Sequence, residues 1–147
     1  MRLNLLLRAL YKGYSWENIR FLYRQWNNES AYGSSRLFRE NNNPFGMSAV
    51  YTRPTTQEGF VNLPDGNTNG VYPSVASAVK DRLLWDQFFR MDPTSLLYPY
   101  EVSKKFNPSP KYFETVSNTP DKGLRTDLIL LLLPFPLLVV VFLLFNL

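Results

Sequence analysis

Apolar residues recur at helical spacing in the first third of the chain. Ile19, Leu22, Tyr23 and Trp26 share one face, while Arg20, Arg24 and Gln25 fall elsewhere. Ser15 supplies an N-cap, so the pattern predicts a helix from Trp16 toward Asn28. Ahead of it, Leu3, Leu6, Leu7 and Leu10 line one side of a short amphipathic helix flanked by Arg2 and Arg8. Arg8 and Lys12 interrupt that run before it reaches signal-peptide length, so the segment either packs on the domain or lies on a lipid surface. A second short helix is expected over Ser34–Glu40, ended by Asn41-Asn42-Asn43-Pro44, with Gly46 permitting a tight backbone.

The texture changes from Ser48 to Val71. Val50, Tyr51, Phe60 and Val61 are strand-prone, and Pro64-Asp65-Gly66 and Asn67-Thr68-Asn69-Gly70 are turn chemistry, predicting one or two β-hairpins. Tyr72-Pro73-Ser74 opens another helix whose Val75, Ala78, Val79, Leu83 and Phe89 face inward, joined by Trp85 and Phe88. Shorter helices follow over Ser95–Lys105, with Pro99 a candidate break, and over Lys111–Val116. The order helix, hairpin, helices is an α+β arrangement, mainly helical with a small β-hairpin lobe, and a cleft between its two lobes would have Glu29 at its mouth.

The apolar pattern becomes continuous at the end. Leu128 to Phe145 is 18 uncharged residues, roughly 27 Å as a helix, which predicts a C-terminal transmembrane helix interrupted by Pro134 and Pro136. The expected organisation is an N-terminal segment over 1–13, a domain over 14–118, a linker over 119–127 and a membrane anchor over 128–147.

Composition narrows the chemistry. The 147 residues include neither Cys nor His, which excludes disulfides, thiolate metal sites and any Ser-His-Asp triad. Catalysis must rest on carboxylates, hydroxyls, amides or Lys, with no cofactor and no metal expected. The net charge of +4 suits an anionic partner, but no phosphate loop and no basic stripe point to nucleic acid.

Glu29-Ser30-Ala31-Tyr32-Gly33-Ser34-Ser35, followed by Asn42-Asn43-Pro44-Phe45-Gly46-Met47 and then by Tyr72, Ser74 and Asp81, resembles the glucosaminidase family of peptidoglycan hydrolases. Arg53-Pro54-Thr55-Thr56 and the run Ser35 to Asn41 look like the versions seen in Bacteroidetes and their phages. Ala31 stands where the family has Gly, and Ala78 where it has a second Ser. The resemblance covers about residues 14–118. It implies a lysozyme-like fold and a glycoside hydrolase of the endo-β-N-acetylglucosaminidase or muramidase type, with peptidoglycan glycan strands as partner.

Cleaving a glycosidic bond needs a carboxyl that stays protonated near neutral pH, which an aromatic-walled cleft favours. Glu29 is the candidate acid, with Trp26, Tyr32 and Phe45 near it in sequence. The resemblance puts the family's catalytic Glu at the same position. Glu58 is the candidate second carboxylate, alternatively an exposed hairpin charge. Tyr72 resembles the family's cleft tyrosine, orienting substrate or stabilising charge, alternatively packing. Tyr32, Asn43 and Phe45 are candidate substrate-binding residues, Asn43 alternatively tying down its loop. Ser77 and Asp81 are expected to brace the fold. Arg20, Arg24, Arg36 and Arg39 either draw an anionic polymer or are solvated helix surface.

Lys122 and Arg125 precede the anchor and no charge follows it, which places the domain on the cytoplasmic side of a membrane and away from a cell wall. A single-pass protein of a phage virion's internal membrane, beside capsid proteins and opening the wall during infection, resolves that mismatch. The alternatives are an inactive lysozyme-like structural or glycan-binding protein, or a membrane-tethered lysis enzyme.

Overall fold

The computed structural model describes residues 2–133. Among them are seven α-helices and one antiparallel hairpin: α1 (Leu3–Tyr11), α2 (Trp16–Glu29), α3 (Arg36–Asn41), β1 (Gly59–Asn62), β2 (Thr68–Val71), α4 (Val75–Phe88), α5 (Tyr98–Phe106), α6 (Tyr112–Asn118) and α7 (Leu124–Leu132). The mainly helical architecture with a small two-stranded hairpin is therefore present.

Helix α2 is the centre of the molecule. Ser15 caps it by accepting from the Asn18 N–H, and Ile19, Leu22, Tyr23 and Trp26 are buried as their spacing requires. Asn18, Gln25 and Asn27 on the other faces are buried as well. Their amides are used: Asn18 donates to the carbonyls of Pro93 and Ser95, and Asn27 to those of Pro120 and Lys122. These polar residues bind connecting segments to the faces of the helix that lie outside its apolar stripe. Helices α1, α5 and α6 all pack against α2.

The buried face of α1 is Leu5, Leu6 and Ala9, with Leu7 and Leu10 largely exposed. The face is thus turned from the expected one, because α1 packs against α4 and α7 as well as α2. Of the two possible hairpins, one forms. It pairs Gly59 with Val71 and Asn62 with Thr68, and the segment before it contributes only an isolated bridge between Ser48 and Asn69. Helix α4 starts at its Ser74 cap and buries Val75, Ala78, Val79, Leu83 and Trp85, but also Asp81, Arg82 and Asp86. Phe88, expected inside, is 47% exposed. Pro99 sits in the first turn of α5, where it lacks only an N–H that the helix would not use.

The expected transmembrane helix is corrected. Among the described residues no helix is long and apolar enough to cross a membrane. Helix α7 has nine residues, about 14 Å against a hydrocarbon core of about 30 Å. It ends because Leu133 is extended (φ −67°, ψ 138°), the conformation that a residue before proline prefers. Helix α7 packs on α1. Its Leu124 and Asp127 are buried, Leu128 is packed against the core, and the Asp127 carboxylate accepts from Tyr23 at 2.6 Å. The rest of the apolar segment, from residue 134, lies outside the described residues.

Candidate functional site

Glu29 is the last residue of α2. Ser30 follows as its cap, accepting from the Gly33 N–H, and a single 3₁₀ turn over Ala31–Gly33 carries the chain away. Ala31 and Tyr32 both have positive φ, 47° and 57°. Two consecutive non-glycine residues in the left-handed region hold a sharp corner directly after the carboxylate.

The Glu29 carboxyl is half-buried and its two oxygens differ. Oε1 accepts from the Tyr112 hydroxyl at 2.6 Å and from the Asn28 amide at 3.2 Å. Oε2 faces Gly46: a side-chain carbon on that glycine, which has φ +60°, would lie 3.1 Å from it. Burial pushes the Glu29 carboxyl above its ordinary range, and the Tyr112 and Asn28 hydrogen bonds pull it part of the way back. Tyr112 is raised by burial and then by the adjoining Glu29 charge.

Gly46 also belongs to the rim of a groove of about 260 Å³. One wall is the segment from Met47 to Arg53; the other is aromatic, with Trp85, Phe88, Phe89 and Phe106. Tyr112 stacks on Phe106, ring centres 6.1 Å apart and planes 17° from parallel. Glu29 therefore stands behind the rim, next to Gly46 on one side and to the tyrosine backing an aromatic wall residue on the other. Rings in such a wall match the apolar faces of sugars.

The other sequence candidates are distributed unevenly. Phe45 is fully buried with its ring edge-on to Trp26 at 5.4 Å. Asn43 is buried and fixes the loop: its amide donates to the carbonyls of Met47 and Gly70, and its oxygen accepts from the Met47 N–H. Tyr72 is buried and donates to Asp81 at 2.7 Å, while Gln57 donates to it. Tyr32 is exposed, with the Lys122 ammonium 4.7 Å from its ring centre. Glu58 is exposed, and among the described residues its carboxylate has no hydrogen bond or ion pair; only its backbone N–H is engaged, to Val71. The structure brings Glu29 against Gly46 and leaves Tyr72 and Glu58 in separate surroundings.

Asp81 anchors the wall opposite the aromatic residues. Arg53 grips it with two 3.0 Å bonds, one to each oxygen, and the Thr56 N–H adds a third. Burial alone would raise this carboxyl, but the Arg53 and Tyr72 bonds outweigh it and hold Asp81 below its ordinary range.

Sequence reasoning missed Gln25, Arg82 and Asp86 at this site. Arg82 is fully buried, 2.6 Å from Asp86, which also accepts from Tyr14 and Tyr98. Its guanidinium lies 5.0 Å from the Trp85 ring centre and 5.6 Å from that of Phe106. The Arg82 Nε–H donates to Gln25 Oε1 at 3.0 Å, and Gln25 Nε2 donates to the Tyr112 hydroxyl at 3.1 Å. The spacing of Arg82 and Asp86, four apart on a helix, was the available signal, though it reads equally as a surface ion pair.

No protein-family model matches this chain, and no curated protein matches it. A solved structure similar to it is a type VI secretion system effector–immunity complex from Pseudomonas protegens, at 19% identity over 67% of this chain and 70% of that one, with a TM-score of 0.47. A likeness that remote says nothing about what the groove takes. The expected membership of the glucosaminidase family, with its lysozyme-like fold, is corrected by these results. So is the peptidoglycan hydrolase of a virion membrane, for which neither a hydrolase signature nor a membrane-spanning helix is found among the described residues. The physical reason lies in the motif itself. Asn43, Gly46, Tyr72 and Asp81 are bracing and turn residues here, and such chemistry recurs wherever a short loop must be tied to a helix.

Proposed function

We propose that Glu29 is the general acid of a glycoside hydrolase, with an oligosaccharide seated in the groove between the 46–53 segment and the aromatic face of α4 and α5. The observation that supports it best is the asymmetric carboxyl. One oxygen is occupied by Tyr112 and Asn28, the other faces the glycine at the groove rim, and burial raises its affinity for a proton. Glu29 gives that proton to the bridging oxygen as the bond from the anomeric carbon breaks and its electron pair leaves with the oxygen. Water adds to the anomeric carbon, and the proton it releases restores the acid. Asp81 is engaged by Arg53 and Tyr72 and takes no part in the transfer.

The test is incubation of the full chain with chitohexaose and cellohexaose, with products followed by mass spectrometry. Cleavage of either sugar by the wild type, with at least a roughly 100-fold loss in Glu29→Gln, is the expected result. Equal activity in the two proteins removes Glu29 from the reaction. Binding without products removes the catalytic reading, and neither binding nor products removes the sugar as well.

A further inference from the structure

Arg82 is buried behind the aromatic wall and makes no bond to Glu29, yet the polarity of the hydrogen bonds connects the two. An arginine has five N–H donors and no acceptor, and it keeps its charge when buried. The atom of Gln25 that faces it must therefore be the carbonyl oxygen, at 3.0 Å. This leaves the Gln25 amide nitrogen, a donor only, 3.1 Å from the Tyr112 hydroxyl. The hydroxyl accepts there, and its one proton is directed to Glu29 Oε1 at 2.6 Å. Each bond fixes the direction of the next.

We propose that Arg82, acting through Gln25 and Tyr112, is a positioning residue that decides which oxygen of Glu29 carries the acidic proton. With Oε1 filled by two donors, the proton is confined to Oε2, the oxygen that faces Gly46 and the groove rim. A carboxyl with free choice would spend part of its time protonated on the wrong oxygen. The ion pair with Asp86 holds the guanidinium in place, and Trp85, Phe106 and Phe45 pack around it. The aromatic wall of the groove and the start of the relay are thus the same cluster of side chains. Among the described residues the groups facing Glu29 are Tyr112 from α6, Asn28 from its own helix and the Gly46 turn, and the titratable one bonded to it is the tyrosine.

This inference rests on the acid role of Glu29 for its purpose, but the relay can be measured without turnover. In wild-type protein, NMR should place the Gln25 side-chain amide protons against the Tyr112 ring, and amide protons facing the Arg82 guanidinium would overturn the relay. In Gln25→Glu, residue 25 accepts from both neighbours, which draws the Tyr112 proton away from Glu29. The carbon-13 titration of the Glu29 carboxyl should then move up by roughly one to two pH units, as it should in Tyr112→Phe, where the donor is absent. Unchanged midpoints in folded variants would overturn the proposal. A wild type that shows the relay but cleaves no sugar would instead count against the hydrolase reading.

Discussion

The Tyr112 hydroxyl donates to Glu29 Oε1 at 2.6 Å and ties the first residue of α6 to the last residue of α2. One bond thus closes the helical layer across 83 positions of sequence and sets the electrostatics of the candidate acid. The bond favours the charged carboxylate, while burial disfavours it more.

The balance has a consequence for stability. The Glu29 midpoint is higher in the folded than in the unfolded chain, so its proton stabilises the fold fully below the ordinary glutamate range, and that contribution is lost as pH rises through the folded midpoint. Glutamine stays neutral throughout. Relative to wild type, Glu29→Gln should therefore gain stability as pH rises from the ordinary glutamate range through the folded midpoint, read from urea midpoints across that rise. A relative loss over that interval would show that the carboxylate is favoured by the fold.

Gly46 is the second support of the site. At φ +60° it occupies the left-handed region, and any side chain would crowd Glu29 Oε2. Gly46→Ala should cost about 1–2 kcal/mol from the backbone alone. It should also shift the Glu29 titration, since the new methyl group meets Oε2 of the carboxyl. Denaturant unfolding and carboxyl NMR measure the two effects separately.

The corner after Glu29 offers a substitution in the opposite direction. Ala31 stands at φ 47°, where a Cβ is strained by about 1–2 kcal/mol. Ala31→Gly relieves that strain and returns part of the gain as unfolded-state entropy, about 0.4–1 kcal/mol. A net rise in stability of roughly half to one kcal/mol is expected by urea unfolding. A fall would mean that the alanine methyl group is stabilising in its own right.

These sites show which parts of the fold were legible. Caps and apolar spacing located α2 and α4, because Ser15 and Ser74 announce their helices locally. Asn43, Gly46 and Tyr72 formed a recognisable string, but what they share with other proteins is the chemistry of tying a loop. The role of Gln25 was illegible, and so was that of Arg82 toward it, since the bonds that connect them to the site join residues 57 and 87 positions apart. In α7, composition describes a segment's solvent preference, whereas Leu124, Asp127 and Leu128 are placed by packing and by Tyr23.

The Arg53–Asp81 pair supplies the last prediction. Both side chains are almost wholly buried, and both oxygens of Asp81 are held by the guanidinium. Removing the charge of Asp81 leaves Arg53 buried and unpaired, a loss of about 3–5 kcal/mol. Asp81 titrates below its ordinary range in the folded state despite its burial, so its contribution is present above the unfolded aspartate value, about 3.9, and is lost as pH falls through the folded midpoint. The stability gap between wild type and Asp81→Asn should accordingly be full at pH 7 and should narrow below about pH 4. Arg53 also lines the groove, and Thr56 is bonded to Asp81 and to the Ser77 carbonyl. The substitution should therefore release the wall that faces the aromatic rings, and it should weaken chitohexaose binding together with stability. A gap that stays constant with pH would assign the loss to packing and leave the ion pair without a role.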